Sequence, residues 1–191
     1  MIEKIYLDQD LFALIRQDCK ENDVGATFAQ ELINEYGDLK DDRIIILKLD
    51  AFYSSSNMPN PPPSPDYLVI VRCCDNSLDG YIIELRDTTQ TAAVRAKEIV
   101  KKFKTIAEDF FGKRYKSIFI KDNGSIIFRS LKLYLVTDPL GLRSKNLSDD
   151  EYKKRIRGTT LDAYGTLEPL IFGTRPYIIE PALPDPVVKS C

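Results

Sequence analysis

The spacing of apolar and polar positions changes along the chain, and each change marks an element. Leu11, Leu14 and Ile15 fall on one side of a helix drawn from Leu7 to Cys19, and Gly25 breaks the chain after it. A second helix is read from Thr27 to Tyr36, closing near Gly37. Its apolar face is Phe28, Leu32 and Ile33, while Glu31 and Glu35, four apart, share a side. The run from Arg43 to Leu49 is dominated by β-branched residues and predicts a strand. Tyr53 to Pro65 holds Ser54-Ser55-Ser56 and the proline-rich stretch from Pro59 to Pro63, which suit neither an inner strand nor a helix interior and predict a surface loop.

Two more strands follow, Pro65 to Val71 and Gly80 to Arg86, with the turn residues Asp75-Asn76-Ser77 and Asp79-Gly80 between them. The longest helical pattern runs from Thr89 to Phe111. Ala93, Ala96, Val100, Phe103, Ala107 and Phe110 recur there at spacings of three and four, and Gly112 ends it. Short strands are expected at Lys116–Ile120 and Ser125–Phe128 around the turn Asp122-Asn123-Gly124, and a longer one at Leu131–Thr137. Asp138 to Asp150 reads as loop and Asp149 to Ile156 as a short basic helix. The proline-rich end after Tyr177-Ile178-Ile179 is expected to be loosely structured. This order predicts an α/β fold, a central mixed β-sheet flanked by helices.

A length of 191 residues suits one domain spanning 1–191, with a proline-rich loop at about 54–65 and a less regular C-terminal region. No apolar stretch reaches the roughly 18 residues of a membrane span, and no signal-peptide pattern opens the chain. A cytoplasmic location without membrane contact is the expectation. Glycine-rich phosphate loops are absent, which removes most nucleotide-binding readings.

The net charge of -2 gives no global attraction to nucleic acid, so any such contact must be local. The distribution allows it. Residues 1–50 hold twelve acids and six bases, residues 92–121 nine bases and three acids, and residues 129–158 eight bases and four acids. Lys97, Lys101 and Lys102 on the long helix, with Arg143, Lys145, Lys153, Lys154, Arg155 and Arg157 further on, are candidates to meet DNA phosphates. The alternative is an ordinary solvated surface. The chain has no His, which excludes imidazole bases, Ser-His and Cys-His nucleophile pairs and nearly all protein zinc sites. Cys19, Cys73, Cys74 and Cys191 show no metal-binding spacing and read as buried thiols.

Hydrolytic chemistry in such a chain rests on carboxylates and a hard metal. Asp66 and Glu84 stand in apolar strands, where an acid needs a partner. Period-two alternation puts Ile82, Glu84 and Arg86 on one strand face and Tyr81, Ile83 and Leu85 on the other. Asp66 and Glu84, with Glu31 or Glu35 and the carbonyl of Leu85, would hold Mg²⁺. That ion would activate water and neutralise a scissile phosphate, with Arg86 stabilising the added transition-state charge.

Pro65-Asp66, seventeen intervening residues and then Glu84-Leu85-Arg86 resemble the signature of the PD-(D/E)XK nuclease superfamily, the restriction-endonuclease-like enzymes. The resemblance covers about residues 26 to 120 and includes the long helix after the motif. It implies a restriction-endonuclease-like core and an Mg²⁺-dependent endonuclease acting on double-stranded DNA. Asp66 and Glu84 take the positions of the metal-binding acids, Leu85 that of the carbonyl ligand, and Glu31 matches the helix acid of many members. Arg86 stands where the family carries lysine, a departure that bears on activity. A homodimer and a separate DNA-recognition subunit both fit the small size. The competing readings are a non-catalytic nucleic-acid-binding or assembly module on a nuclease-like fold, and a protein-interaction module using the acidic first half.

Overall fold

The computed structural model describes residues 1–55, 59–90, 94–145 and 147–190. Residues 56–58 of the proline-rich loop, Ala93 near the expected start of the long helix, and Cys191 lie outside the described residues.

The expected Leu7–Cys19 helix is replaced by two short helices, α1 (Ile2–Leu7) and α2 (Gln9–Ala13), followed by strand β1 (Ile15–Arg16). Asp8 is the reason. Its backbone is extended and its side chain accepts the Leu11 N–H at 3.0 Å, so it starts a new helix instead of continuing one. Strands β2 (Lys20–Glu21) and β3 (Val24–Gly25) form a hairpin, turned at Asn22 with φ 51°. The expected Thr27–Tyr36 helix does not form either. The chain there makes strand β4 (Thr27–Phe28) and one 3₁₀ turn at Gln30–Leu32. Asn34 competes with helix formation, since its Oδ1 accepts the N–H groups of Tyr36 and Asp38, each at 2.9 Å.

Strand β5 (Ile44–Lys48) appears as expected and leads straight into helix α3 (Leu49–Ser55), which takes the beginning of the segment read as loop. Strands β6 (Tyr67–Arg72) and β7 (Leu78–Arg86) follow. Gly80 lies inside β7, not in the turn, which is made by residues 73–77 with Asn76 at φ 61°. A Cβ on Gly80 would stand 2.9 Å from Leu131 Cδ1 and 3.0 Å from Phe128 Cγ, so close packing accounts for the glycine.

Helix α4 (Ala96–Thr105) continues into a π-helical stretch, Ile106–Arg114. Its buried face is Ile99, Phe103, Ile106, Phe110 and Phe111, whereas Ala96, Val100 and Ala107 pack at its margin. The wider π turn lets neighbouring Phe110 and Phe111 both point inward. Residues Lys116–Phe119 form a short helix, α5, where a strand was expected. An apolar run that short fits either state, and hydrogen bonds to the Tyr115 carbonyl from the Ile118 and Phe119 N–H groups wind it. Strand β8 (Ser130–Thr137) and helix α6 (Asp149–Ile156) lie where the pattern put them, α6 opening with a Ser148–Glu151 capping box. The chain end is more regular than expected, with β9 (Leu170–Phe172), β10 (Arg175–Tyr177), β11 (Ile179–Ala182) and β12 (Val187–Val188).

Six strands form the central sheet in the order β1-β5-β6-β7-β8-β11. β5, β6 and β7 pair antiparallel, while β8 is parallel to both β7 and β11. The parallel β7–β8 pair needs a crossover, and α4 with its π extension supplies one. Three antiparallel strands, a long helix and a fourth strand parallel to the third make a mixed α/β sheet of restriction-endonuclease-like arrangement. One sheet face carries Leu68, Ile70, Ile82, Leu133 and Leu135 into a core with Ile99, Phe103 and Phe110. The other carries Tyr67, Val69, Tyr81, Ile83, Leu85 and Val136 into a second core with Val24, Leu32 and Val188. The expected alternation along β7 therefore holds. Cys19 is a buried free thiol, Cys74 is exposed, and Cys73 is buried and disulfide-bonded, which corrects the all-thiol expectation. Among the described residues no helix is long and apolar enough to cross a membrane.

Candidate active site

The acids collect where β5 and β7 end and β6 begins. Asp66 directly precedes β6, and extending the register Tyr67↔Ile83 sets it opposite Glu84. Opposed residues of an antiparallel pair project from one face, so both acids share the α4 face with Ile82. Three backbone contacts fix Asp66. Its N–H donates to Ile83 O at 3.1 Å, its carbonyl accepts the Leu49 N–H at 2.8 Å, and its Oδ2 accepts the Leu85 N–H at 2.6 Å. Burial pushes the Asp66 carboxyl up to about 7; the Glu84 charge adds to this, and the Leu85 N–H and Lys102 oppose it.

Glu84 is fully buried, and its two oxygens accept from Lys102 Nζ at 2.8 and 2.9 Å. Arg86 Nε lies 2.7 Å from Glu84 Oε1. That contact is charge against charge, because the Nε–H has no acceptor in hydrogen-bonding alignment. Burial raises the Glu84 carboxyl and the two cations pull it back. A buried carboxylate without them would be strongly destabilising. Tyr164, on the 3₁₀ turn Asp162–Thr166, is also fully buried, and its hydroxyl has no hydrogen-bond partner among the described residues. Burial pushes that phenol up, and the charges of Arg86 and Glu84 act on it in opposite senses.

Beside Asp66 lies a second group. Lys48 closes β5, Asp50 sits in the first turn of α3, and Glu21 ends β2. One carboxylate oxygen from each of Glu21, Asp50 and Asp66 lies within 4.8 Å of the others. Lys48 Nζ donates to Glu21 Oε1 at 2.7 Å and to the Tyr67 hydroxyl at 3.2 Å, and stands 3.6 Å from Asp50 Oδ1. Asp50 Oδ1 is buried yet accepts no hydrogen bond among the described residues. Three carboxylates and an orphaned acceptor fit a hard divalent cation, which takes oxygen ligands. Bonds of about 2.1 Å place opposite oxygens about 4.2 Å apart, so a small inward shift completes the fit for an ion of Mg²⁺ size.

Asp66, Glu84, Leu85 and Arg86 are thus brought together, with Leu85 offering Asp66 its N–H. Glu31 is elsewhere. The helix meant to carry it does not form, and its exposed carboxylate accepts from the Ser190 N–H at 3.3 Å. Lys102 leaves the surface role read for it and turns inward onto Glu84, while Lys97 and Lys101 are exposed. Arg143 is engaged with Asp23 O at 2.8 Å and with the Asp185 carboxylate. Lys145, Lys153, Lys154, Arg155 and Arg157 are exposed.

Glu21, Asp50 and Lys48 are the residues that the pattern missed. Lys48-Leu49-Asp50 puts opposite charges where an apolar strand stops, and Lys20-Glu21-Asn22-Asp23-Val24-Gly25 carries the turn residues of a hairpin. Nothing local says that this hairpin folds against the end of β5. Comparison of the chain with protein-family models, with curated proteins and with solved structures gives no match, so the site is assigned on its geometry.

Proposed function

We propose that this chain is an Mg²⁺-dependent endonuclease of the PD-(D/E)XK type that hydrolyses phosphodiester bonds in double-stranded DNA. One observation carries the reading: a three-carboxylate cluster, Glu21, Asp50 and Asp66, meets a buried Glu84 held by Lys102 and Arg86 at one end of the sheet. The three acids would hold the ion, which when bound supplies Lewis acidity and lowers the pKa of water. The chain's own groups do the rest. The Leu85 N–H fixes the Asp66 carboxylate, so one ligand is positioned before anything binds. Lys102 opposes the burial that raises the Glu84 carboxyl and adds positive charge behind the site. The Arg86 side chain is 35% exposed, so its outer part can meet a phosphate while Nε stays at Glu84. In hydrolysis a water oxygen joins phosphorus and gives up a proton to solvent, one ester P–O bond breaks, and the departing oxygen takes a proton from solvent. Arg86 opposes the negative charge that builds on the phosphoryl oxygens. Exposed Lys97, Lys101, Lys145, Lys154, Arg155 and Arg157 would hold the DNA backbone. A second copy would supply the second cut, or a separate subunit the recognition of DNA.

The test is cleavage of supercoiled plasmid and of a labelled duplex with Mg²⁺, Mn²⁺, Ca²⁺ or EDTA. Nicking is expected in Mg²⁺ or Mn²⁺ and none in EDTA. Asp66→Asn and Asp50→Asn should each slow cutting more than about a hundredfold, beyond what outer-shell partners cost, with the melting curve retained. Cleavage by Asp66→Asn at the wild-type rate would reject the site. A second reading is supported by Lys48, whose ammonium already neutralises Glu21. On that reading the chain is a nucleic-acid-binding module without catalysis. It would bind duplex DNA in a salt-dependent way, show no Mn²⁺ binding by calorimetry, and be indifferent to Asp66→Asn.

A further inference from the structure

Lys48 stands inside the carboxylate cluster and fills it incompletely. A lysine ammonium carries three N–H donors. Here one goes to Glu21 Oε1 at 2.7 Å and one to the Tyr67 hydroxyl at 3.2 Å. Asp50 Oδ1 is 3.6 Å from Nζ, too far for a hydrogen bond, and is left buried without a donor among the described residues. Asp66, 6% exposed, makes no ion pair with Lys48. The ammonium thus serves one acid well, a second poorly and the third not at all. A divalent cation at about 2.1 Å from one oxygen of each acid serves all three.

The two cations contest the same oxygens. An ion bonded to Asp50 Oδ1 at about 2.1 Å would lie at most about 5.7 Å from Nζ where it now stands, and like charges that close repel. Lys48 has another place to go. Its side chain is 23% exposed, and Nζ lies 4.6 Å from the centroid of the Tyr67 ring. The Tyr67 hydroxyl already accepts from Nζ and is itself fixed by donating to Lys20 O at 3.1 Å. A flexible four-carbon stem can turn its head from Glu21 onto that ring and hydroxyl while β5 stays in place.

We propose that the Lys48 ammonium holds the Glu21–Asp50 edge together in the metal-free protein and yields those oxygens to a divalent cation, turning onto Tyr67. This deepens the reading of the carboxylate cluster as a cation site and rests on it. Lysine and ion then compete, and the lysine sets how much free cation is needed to load the site. A lysine that only oriented Glu21 for the ion would raise the affinity, so the two roles differ in sign.

Calorimetric titration of Mn²⁺ into the metal-free full chain, without nucleic acid, reads that sign. Lys48→Met should bind Mn²⁺ at least about tenfold more tightly than the unsubstituted chain, and Lys48→Arg, which keeps the charge, no more tightly. In EDTA, Lys48→Met should unfold at lower urea than the unsubstituted chain. Saturating Mn²⁺ should close that gap, because a ligand stabilises the folded form by an amount that grows with its affinity. If Lys48→Met does not fold, the unsubstituted chain labelled with ¹⁵N-lysine carries the test. Its Lys48 ammonium signal, identified by its absence from Lys48→Arg, should be rigid in EDTA and gain mobility in saturating Mg²⁺. Equal or weaker Mn²⁺ binding by folded Lys48→Met overturns the proposal. So does a Lys48 ammonium that stays rigid in saturating Mg²⁺, or the absence of Mn²⁺ binding in all three proteins. The endonuclease reading fails separately. Tighter Mn²⁺ binding by Lys48→Met without nicking by either protein keeps the competition and removes the enzyme. Equal Mn²⁺ binding with Mg²⁺-dependent nicking removes the competition alone.

Discussion

Asp66 is an acid that its surroundings keep protonated to near neutrality. Its carboxyl ionises at about 3.8 in the open chain and about 7 in the folded, metal-free protein. The folded state therefore holds a proton that the unfolded state gives up earlier. Stability contributed by this group is complete below pH 3.8 and is lost as pH rises to about 7. We expect urea midpoints in EDTA to fall across that window, by an energy on the order of a few kcal/mol, and Asp66→Asn to flatten the fall. An equal slope in the variant would assign it to another group. Lys102 makes a second test. Lys102→Met leaves Glu84 buried beside Arg86 alone and should cost about 3–5 kcal/mol at pH 7.5. The loss should shrink as pH falls, because burial raises the Glu84 carboxyl and a protonated Glu84 no longer needs the cation; a loss independent of pH would mean that the ammonium acts by packing. Asp66, Glu84 and Arg86 were legible because each interrupts an apolar strand. Lys102 was not, because one turn of helix decides whether a lysine faces water or the sheet, and Phe103 beside it pins that choice.

Among the elements, β5 through β8 could be read from composition and alternation because each is flanked by clear punctuation. The failures have local causes of another kind. Asp8 and Asn34 use their side chains to satisfy backbone N–H groups, and a periodic apolar pattern does not register that competition. The long helix was found, but its face was read about one position off, and the π stretch within it has no apolar signature. That stretch has a measurable load. Phe111 stacks on Phe119 at 4.5 Å and is 1% exposed. Phe111→Ala should destabilise the chain by about 3–5 kcal/mol in urea unfolding. A loss below about 1 kcal/mol would show that the aromatic cluster repacks around the gap.

For the molecule as a whole, a mixed sheet with Asp66 and Glu84 in neighbouring strands was legible in the order of elements, whereas the strand directions and the facing of the two acids come from the pairing itself. The three-acid cluster did not follow, because it depends on pairing between distant parts of the chain. β12 pairs with β4 through Val187↔Thr27 and Val188↔Phe28. Asp185 N–H donates to Gly25 O at 2.9 Å, and Arg143 reaches Asp23 O, so the hairpin carrying Glu21 is braced by late segments. This has a consequence for a chain emerging from the ribosome. Residues up to Lys102 are enough to bring Glu84 and its ammonium partner into being, but the hairpin gains its brace only once residue 188 has been made. The protein would then be born with Glu84 and its cation partner made early and its cation-holding edge unfinished until residue 188 has followed.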